Sequence, residues 1–279
     1  MKHPEKWRDT CNPFALEYQE FRPVKILGYP HAGNDVFHTR GIYRGKEICA
    51  YIKVARQTDT ALENERMILQ YLDHPAIPHV LDFGWGTTSF LVTEEIPGQR
   101  LSVILEENGK TDSIEYMKEY GETLARIHQM KPVAQSVADR RFFHTPSVEL
   151  LKKLDLAWLS DFFTRKPRVD EKVFCHGDFH YANILWKDHH ISGILDFELS
   201  GWGNREFDIA WALILRPGQE FLKTEEERNC FFQGYQKYGD FDKKAVQYYM
   251  AQIYVYFLSF SDEDIPYCQY VRSWLSTLV

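Results

Sequence analysis

Between about residues 24 and 94 the chain alternates apolar and polar positions in short runs, the period-two pattern of half-buried strands: VKIL, DVFHTRGIY, GKEICAYIKVA, HVLDFG and SFLVTEE. Arg44 and Gly45 supply the turn between the second and third runs. In the third, Ile48, Ala50, Ile52 and Val54 share one face, while Cys49, Tyr51 and Lys53 share the other. One helical stretch interrupts the strands. It starts near Asp59 or Thr60, carries Leu62, Ile68, Leu69 and Leu72, and ends before His74-Pro75, because the residue ahead of a proline disfavours the helical region. Beyond Pro97-Gly98 the period changes. Residues 113–130 place Ile114, Met117, Leu124 and Ile127 at helical spacing, with Asp112 or Ser113 as N-cap. TEEERNCFFQGYQKYG opens with a capping box at Thr224 and Glu227, and FDKKAVQYYMAQIYVYFLSF continues the helical texture. Between these helices lie the polar run CHGDFHYAN and a hairpin-like stretch, NILWKDHHISGILDFE, turning at 187–190. The pattern predicts an α+β protein with a strand-rich zone over 1–95, a mostly helical zone over 96–279, and a crossing at about 94–98.

Composition narrows the class. With 279 residues, 44% apolar and 26% charged, the chain reads as globular. Its first ten residues hold no apolar core of a secretory signal, and its longest apolar runs, such as 209–215, fall far short of a membrane span, so a cytoplasmic location without a membrane partner is expected. Five scattered cysteines with no Cys-x-x-Cys pair predict reduced thiols and neither a disulfide framework nor a zinc knuckle. A net charge of −7 offers no basic stripe for nucleic acid.

The chemistry concentrates in one ordered series: His176-Gly177-Asp178, then Asn183, Asp196 and Asp208. A carboxylate and an amide five residues apart on a loop can converge, and a second carboxylate beyond a short apolar strand can join them. Oxygen donors of this kind suit a hard cation such as Mg²⁺ shared with phosphate oxygens, which points to a nucleotide. On HGDFHYAN and ILDFELSGWGNREFDIAW the chain resembles the aminoglycoside phosphotransferase and choline kinase family over roughly residues 22–260. That resemblance implies the two-lobed fold of protein kinases, with a small antiparallel sheet and one helix ahead of a larger helical lobe. It also implies a phosphotransferase using ATP or GTP with one or two Mg²⁺ ions. Asp178 would be the catalytic aspartate, Asn183 and Asp196 the Mg²⁺ ligands, and His176 and Asp208 structural braces. Lys53 would face the nucleotide phosphates, held by Glu65 or, alternatively, Glu63. Gly33, in GYPHAGNDVF, would let backbone approach the phosphates, and the Glu94 carbonyl and Ile96 N–H would face the base.

Eleven residues separate Asp196 from Asp208 and no Ala-Pro-Glu follows, so the expected acceptor is a small molecule with a hydroxyl and not a protein. Residues 99–279 hold 22 Lys/Arg against 27 Asp/Glu, compatible with a cationic, aminoglycoside-like acceptor met by Glu198 or by Asp262, Glu263 and Asp264. Kinases of choline, amino alcohols or other metabolites, and a nucleotide-binding module without catalysis, are the alternatives. His128 reads as a packed helix histidine, Tyr248, Tyr249, Tyr254, Tyr256 and Phe257 as helix core, and His180, His189 and His190 as poorer metal candidates than the oxygen donors.

Overall fold

The computed structural model describes residues 11–30, 34–56, 61–86, 88–169, 171–261 and 263–278. Alternation in the first zone folds into a five-stranded antiparallel sheet: β1 (Phe21–Gly28), β2 (Asp35–Tyr43), β3 (Lys46–Val54), β4 (Val80–Gly84) and β5 (Phe90–Glu94), in spatial order β1-β2-β3-β5-β4. Arg44 and Gly45 both take positive φ, the two-residue turn whose twist matches that of the flanking strands. Ala50, Ile52 and Val54 are buried with Phe21, Phe37, Phe90 and Val92 in a core of the sheet's own. Lys53 is therefore left on the opposite face, paired across the ladder with Val36 and Leu91. A single carboxylate locks the approach to β1: the Asp82 Oδ2 accepts the backbone N–H groups of Gln19, Glu20 and Phe21 at 2.7–2.8 Å.

Helix α1 (Leu62–Tyr71) lies between β3 and β4 in sequence and buries Leu62, Glu65, Ile68 and Leu69. Ile68 and Leu69 join the core of the helical zone, so α1 belongs by packing to both zones and by charge to Lys53. After β5 come β6 (Gln99–Arg100), α2 (Leu101–Glu107) and α3 (Ile114–Gln129). Two short helices, α4 (Val148–Lys153) and α5 (Ser160–Phe163), precede β7 (Lys172–Cys175), and the hairpin β8 (Ile184–Lys187) and β9 (His190–Ile194) follows it. The hairpin turns on Asp188 and His189, both at positive φ. β10 (Gly201–Asn204) pairs antiparallel with β7 and leads into α6 (Arg205–Leu213), α7 (Glu225–Tyr235), α8 (Lys243–Leu258) and α9 (Ile265–Ser276).

Helix α3 is the post of this zone. It buries Tyr116, Met117, Tyr120, Leu124 and Ile127 along one stripe, and it meets α7 with backbone against backbone. A Cβ on Gly121 would come 2.0 Å from the Phe231 carbonyl oxygen, and one on Gly234 1.9 Å from that of Lys118. The capping box at Thr224 and Glu227 forms as the sequence predicts. Ser113 is the N-cap position of α3 but makes no capping bond; its hydroxyl donates to Glu227 Oε1 at 2.7 Å instead. No disulfide joins the described cysteines, and no described helix is long and apolar enough to cross a membrane.

Candidate active site

Period-two alternation sends Lys53 out of β3 toward α1, and the first turns of α1 send Glu65 back to it. The Lys53 Nζ lies 2.7 Å from Glu65 Oε2, 2.9 Å from Asp196 Oδ1 and 3.5 Å from Glu198 Oε2. One ammonium thus joins the sheet, α1 and the segment after β9. Burial alone would lower the Lys53 pKa, but the three carboxylates outweigh it and hold the amine protonated. Burial pushes the Glu65 carboxyl up to about 7, against the attraction of Lys53 and with the added repulsion of Asp196 and Glu198. Glu63 instead pairs with Arg66 on the exposed side of α1.

The loop after β7 is held by what flanks it. The Asp208 carboxylate on α6 accepts the N–H groups of His176 at 2.9 Å and Gly177 at 3.0 Å, and meets His128 Nε2 at 3.2 Å. The His176 Nδ1 accepts the Asp178 N–H at 3.3 Å, so its Nε2–H faces the Leu195 carbonyl at 3.1 Å, and burial keeps the ring neutral. Gly177 sits at φ +79°, and a Cβ there would lie 2.1 Å from the Leu199 carbonyl oxygen, which explains why a glycine separates His176 from Asp178.

Asp178 presents a carboxylate whose side chain is 21% exposed. Its Oδ1 accepts Trp211 Nε1–H at 2.7 Å and its Oδ2 accepts Asn183 Nδ2–H at 3.1 Å. The His180 Nδ1 accepts the Ala182 N–H, which puts the ring hydrogen on Nε2, 3.6 Å from Asp178 Oδ2. Burial would raise the Asp178 pKa; His180, the Arg216 charge and the Trp211 donor outweigh it and hold the acid well below the usual carboxylate range. Burial holds His180 itself below the ordinary histidine value, so at neutral pH a neutral imidazole stands beside the Asp178 carboxylate. Two guanidinium groups close the surroundings, with Arg140 and Arg216 each 5.1 Å from the Trp211 ring. Arg140 also donates to the Gly177 carbonyl at 2.7 Å.

The Leu195 N–H donates to the Asn183 carbonyl at 2.8 Å, which ties the backbone just ahead of Asp196 to that of Asn183. The Asn183 amide turns its Nδ2 toward Asp178, and among the described residues its Oδ1 accepts no hydrogen bond. Asp196 holds φ +67°, a left-handed conformation that costs a non-glycine residue on the order of 1 kcal/mol and here is imposed by the packed segment around it. Carboxylate oxygens of Glu65, Asp196 and Glu198 lie within 4.8 Å of one another. This all-oxygen set fits a hard divalent cation such as Mg²⁺. At the crossing, Glu95 N–H donates to the Cys49 carbonyl, whereas Ile96 N–H donates to nothing among the described residues.

Some expected placements differ. Glu198, expected on the acceptor side, faces the sheet: its carboxylate accepts Asn34 Nδ2–H at 2.9 Å beside Lys53. Asp196 holds positive φ, and Glu198, two residues further on, faces the sheet. Asp264 caps α9, accepting the N–H groups of Tyr267 and Gly218 at 3.1 and 3.0 Å, and Glu263 is exposed. Gly33 and Asp262 lie outside the described residues. Trp211, Arg140 and Arg216 escape the sequence reading, and His180 enters it only as a poor metal candidate, not as a neighbour of Asp178. Trp211 sits in an apolar helix and reads as core, and only its 33-residue separation from Asp178, about the reach of a loop, two strands and a turn, hints at a partner.

A kinase-like fold with a lysine–glutamate pair joining the sheet to α1, and an Asp-x₄-Asn loop after β7, is that of a phosphotransferase. The sequence profile of the phosphotransferase enzyme family (APH) matches residues 40–241, and the chain belongs to that family. Among curated relatives, an aminoglycoside 3'-phosphotransferase of Enterococcus faecalis is 26% identical over 197 residues, 61% of this chain and 70% of the relative. One of Streptomyces ribosidificus is 28% identical over 201 residues, 60% of this chain and 74% of the relative. Among solved structures, aminoglycoside phosphotransferase APH(4)-Ia in ternary complex with AMP-PNP and hygromycin B superposes with a TM-score of 0.58 at 13% identity, covering 94% of this chain and 93% of its own. Macrolide 2'-phosphotransferase MphH from Brachybacterium faecium gives 0.53 at 16% identity, covering 94% of each chain. At those identities the structural likeness establishes the shared fold.

Proposed function

We propose that the protein transfers the γ-phosphoryl group of ATP or GTP to a hydroxyl of a small-molecule acceptor, with 94–98 as the hinge between a nucleotide-binding lobe and an acceptor-binding lobe. The observation that carries this reading is the single ammonium of Lys53, bonded at once to Glu65 and Asp196. That arrangement would give an entering triphosphate a fixed ammonium to meet. Asn183 and Asp196, with Glu198 beside them, would hold Mg²⁺. The ion, when bound with the nucleotide, supplies neutralisation of phosphate charge. Lys53 orients the α- and β-phosphates, and the Ile96 N–H is free to meet the base. Asp178 is too acidic to pull a proton early; it accepts the acceptor's hydroxyl hydrogen, fixes the oxygen in line with the phosphorus, and takes the proton late, in keeping with a loose transition state. Trp211 and Asn183 hold that carboxylate in one rotamer.

Aminoglycosides are the first acceptors to test, because the curated relatives named above act on them. A second reading, a metabolite kinase whose acceptor is neutral or anionic, is favoured by one observation. Arg140 and Arg216, both stacked on Trp211 beside Asp178, have no carboxylate within ion-pair distance among the described residues. A panel of aminoglycosides, macrolides, amino alcohols and sugars, each assayed with ATP and with GTP, separates the two. Asp178→Asn should cut turnover by about 10³-fold or more while nucleotide affinity stays within about threefold. Asp196→Ala should abolish Mg²⁺-nucleotide binding, and unchanged binding there removes the metal assignment.

A further inference from the structure

We infer that the hinge end of the sheet holds a second, thiolate-containing metal site formed by His38, Cys49 and Glu95, suited to Zn²⁺ and separate from the Mg²⁺ position. His38 lies on β2 and Cys49 on β3, on the face that also carries Tyr51 and Lys53, and Glu95 follows β5 with its N–H on the Cys49 carbonyl. The strand order β2-β3-β5 puts the three side chains side by side, and one donor atom from each lies within 4.8 Å of the others.

Their chemistry differs from that of the Asp196 cluster. Imidazole, thiolate and carboxylate together select a borderline ion such as Zn²⁺ over Mg²⁺. The geometry carries a second sign. The His38 Nε2 is buried and lies 3.2 Å from Glu95 Oε1, yet it makes no directed hydrogen bond. A contact of that length without hydrogen-bond alignment matches the edge between two ligands of a tetrahedral Zn²⁺, about 3.3 Å for bonds near 2.0 Å. The His38 ring is held by a parallel stack on Tyr51, with centroids 4.8 Å apart and planes at 17°. Side-chain exposures of 23% for His38 and 34% for Glu95 leave a path from solvent. On binding, the Cys49 thiol releases its proton to the buffer, and water completes the fourth position. The ion would tie β2 and β3 to the segment on which the lobes turn.

The test uses the full chain, stripped of metal by chelator and titrated with Co²⁺ and Zn²⁺ in millimolar Mg²⁺. One equivalent of Co²⁺ should bind with a thiolate-to-cobalt charge-transfer absorption, and Zn²⁺ should displace it and raise Tm. Cys49→Ser should lose the absorption and the Tm rise, with Zn²⁺ affinity falling by more than the ~10–100-fold that a change beyond the ligands already costs. Its circular dichroism, and its turnover in chelator, should match those of the parent. Asp196→Asn should keep the absorption, which separates this site from the nucleotide metal. A parent chain without the absorption, the same absorption in Cys49→Ser, or displacement of Co²⁺ by Mg²⁺ alone would overturn the inference.

Discussion

Trp211→Phe isolates one hydrogen bond at Asp178, the proposed catalytic carboxylate. The indole Nε1–H donates to Asp178 Oδ1 at 2.7 Å, and phenylalanine keeps an aromatic ring of similar reach on α6 while deleting that donor. A hydrogen bond to a charged group is worth about 1.5–3 kcal/mol. Two consequences are possible, and their sizes differ. Asp178 starts well below the ordinary carboxylate range, so losing one donor leaves it ionised at any pH above about 6, and protonation contributes nothing there. What is lost is orientation: Asn183 still holds Oδ2, but Oδ1 is free to swing away from the proposed line of transfer. If the whole bond energy is expressed in the transition state, kcat falls roughly ten- to a hundredfold, with nucleotide KM unchanged and no shift of the acid limb above about pH 6. The assay is release of nucleoside diphosphate between pH 5 and 9, with the best acceptor of the panel or with water as a slow one, alongside nucleotide affinity by fluorescence. Parental kcat in Trp211→Phe would refute the idea that this donor positions Asp178. A parallel loss of nucleotide affinity would show that the substitution disturbs packing instead.

Lys53→Met strands Glu65 in the interior without its counter-ion, and stability should drop by about 3 kcal/mol in urea titration; adding Glu65→Leu should recover most of that loss but none of the turnover. Glu227 accepts six hydrogen bonds, from Ser113, Leu222, Lys223 and Thr224, and ties the start of α7 to the start of α3. Glu227→Gln replaces one acceptor oxygen with a donor and should cost on the order of 3 kcal/mol, read as a lower urea midpoint at unchanged slope. Although burial opposes it, these donors lower the Glu227 pKa in the folded chain; its stabilisation is full above the ordinary carboxylate pKa and drains away as pH falls through the depressed folded value. Thermal melts of the parent and Glu227→Gln should therefore converge toward acid pH, and a gap independent of pH would contradict the assignment.

What was legible in the sequence follows from how local its cause is. Strands β2 and β3 match the expected runs because alternation and a two-residue turn are local properties, and the same alternation separates Lys53 from its buried neighbours. The strand β10 was not legible. Gly201-Trp202-Gly203-Asn204 has neither alternation nor β-branched residues, and it is a strand because β7 offers it a ladder and because a Cβ on Gly203 would press on Val137 at 2.8 Å. Ser113 looked like a cap, and its diversion to Glu227 depends on a helix 114 residues further on.

The site divides along the same line. Asp178, Asn183 and Asp196 stand out because their spacing is set by one loop and one hairpin, both short. Their partners do not, since what Asp178 needs is a donor at a given point in space, and the fold can deliver it from any element that passes there. Trp211 brings that donor from α6, while the charges near it come from the segment ahead of α4, where Arg140 donates to the Gly177 carbonyl, and from beyond α6, where Arg216 donates to the Trp211 carbonyl; each would look the same in sequence if it faced solvent. Glu198 shows the reverse case. Its nearness to Asp196 in sequence suggested the acceptor, but Asp196 holds positive φ and the Glu198 carboxylate faces the sheet, where it meets Asn34 and Lys53. Two of the three carboxylates around Lys53 thus come from a single tripeptide, and the third from α1. The Lys53 ammonium is therefore also the bond between these elements, and on the proposed reading a nucleotide that enters would have to exchange those contacts for its own.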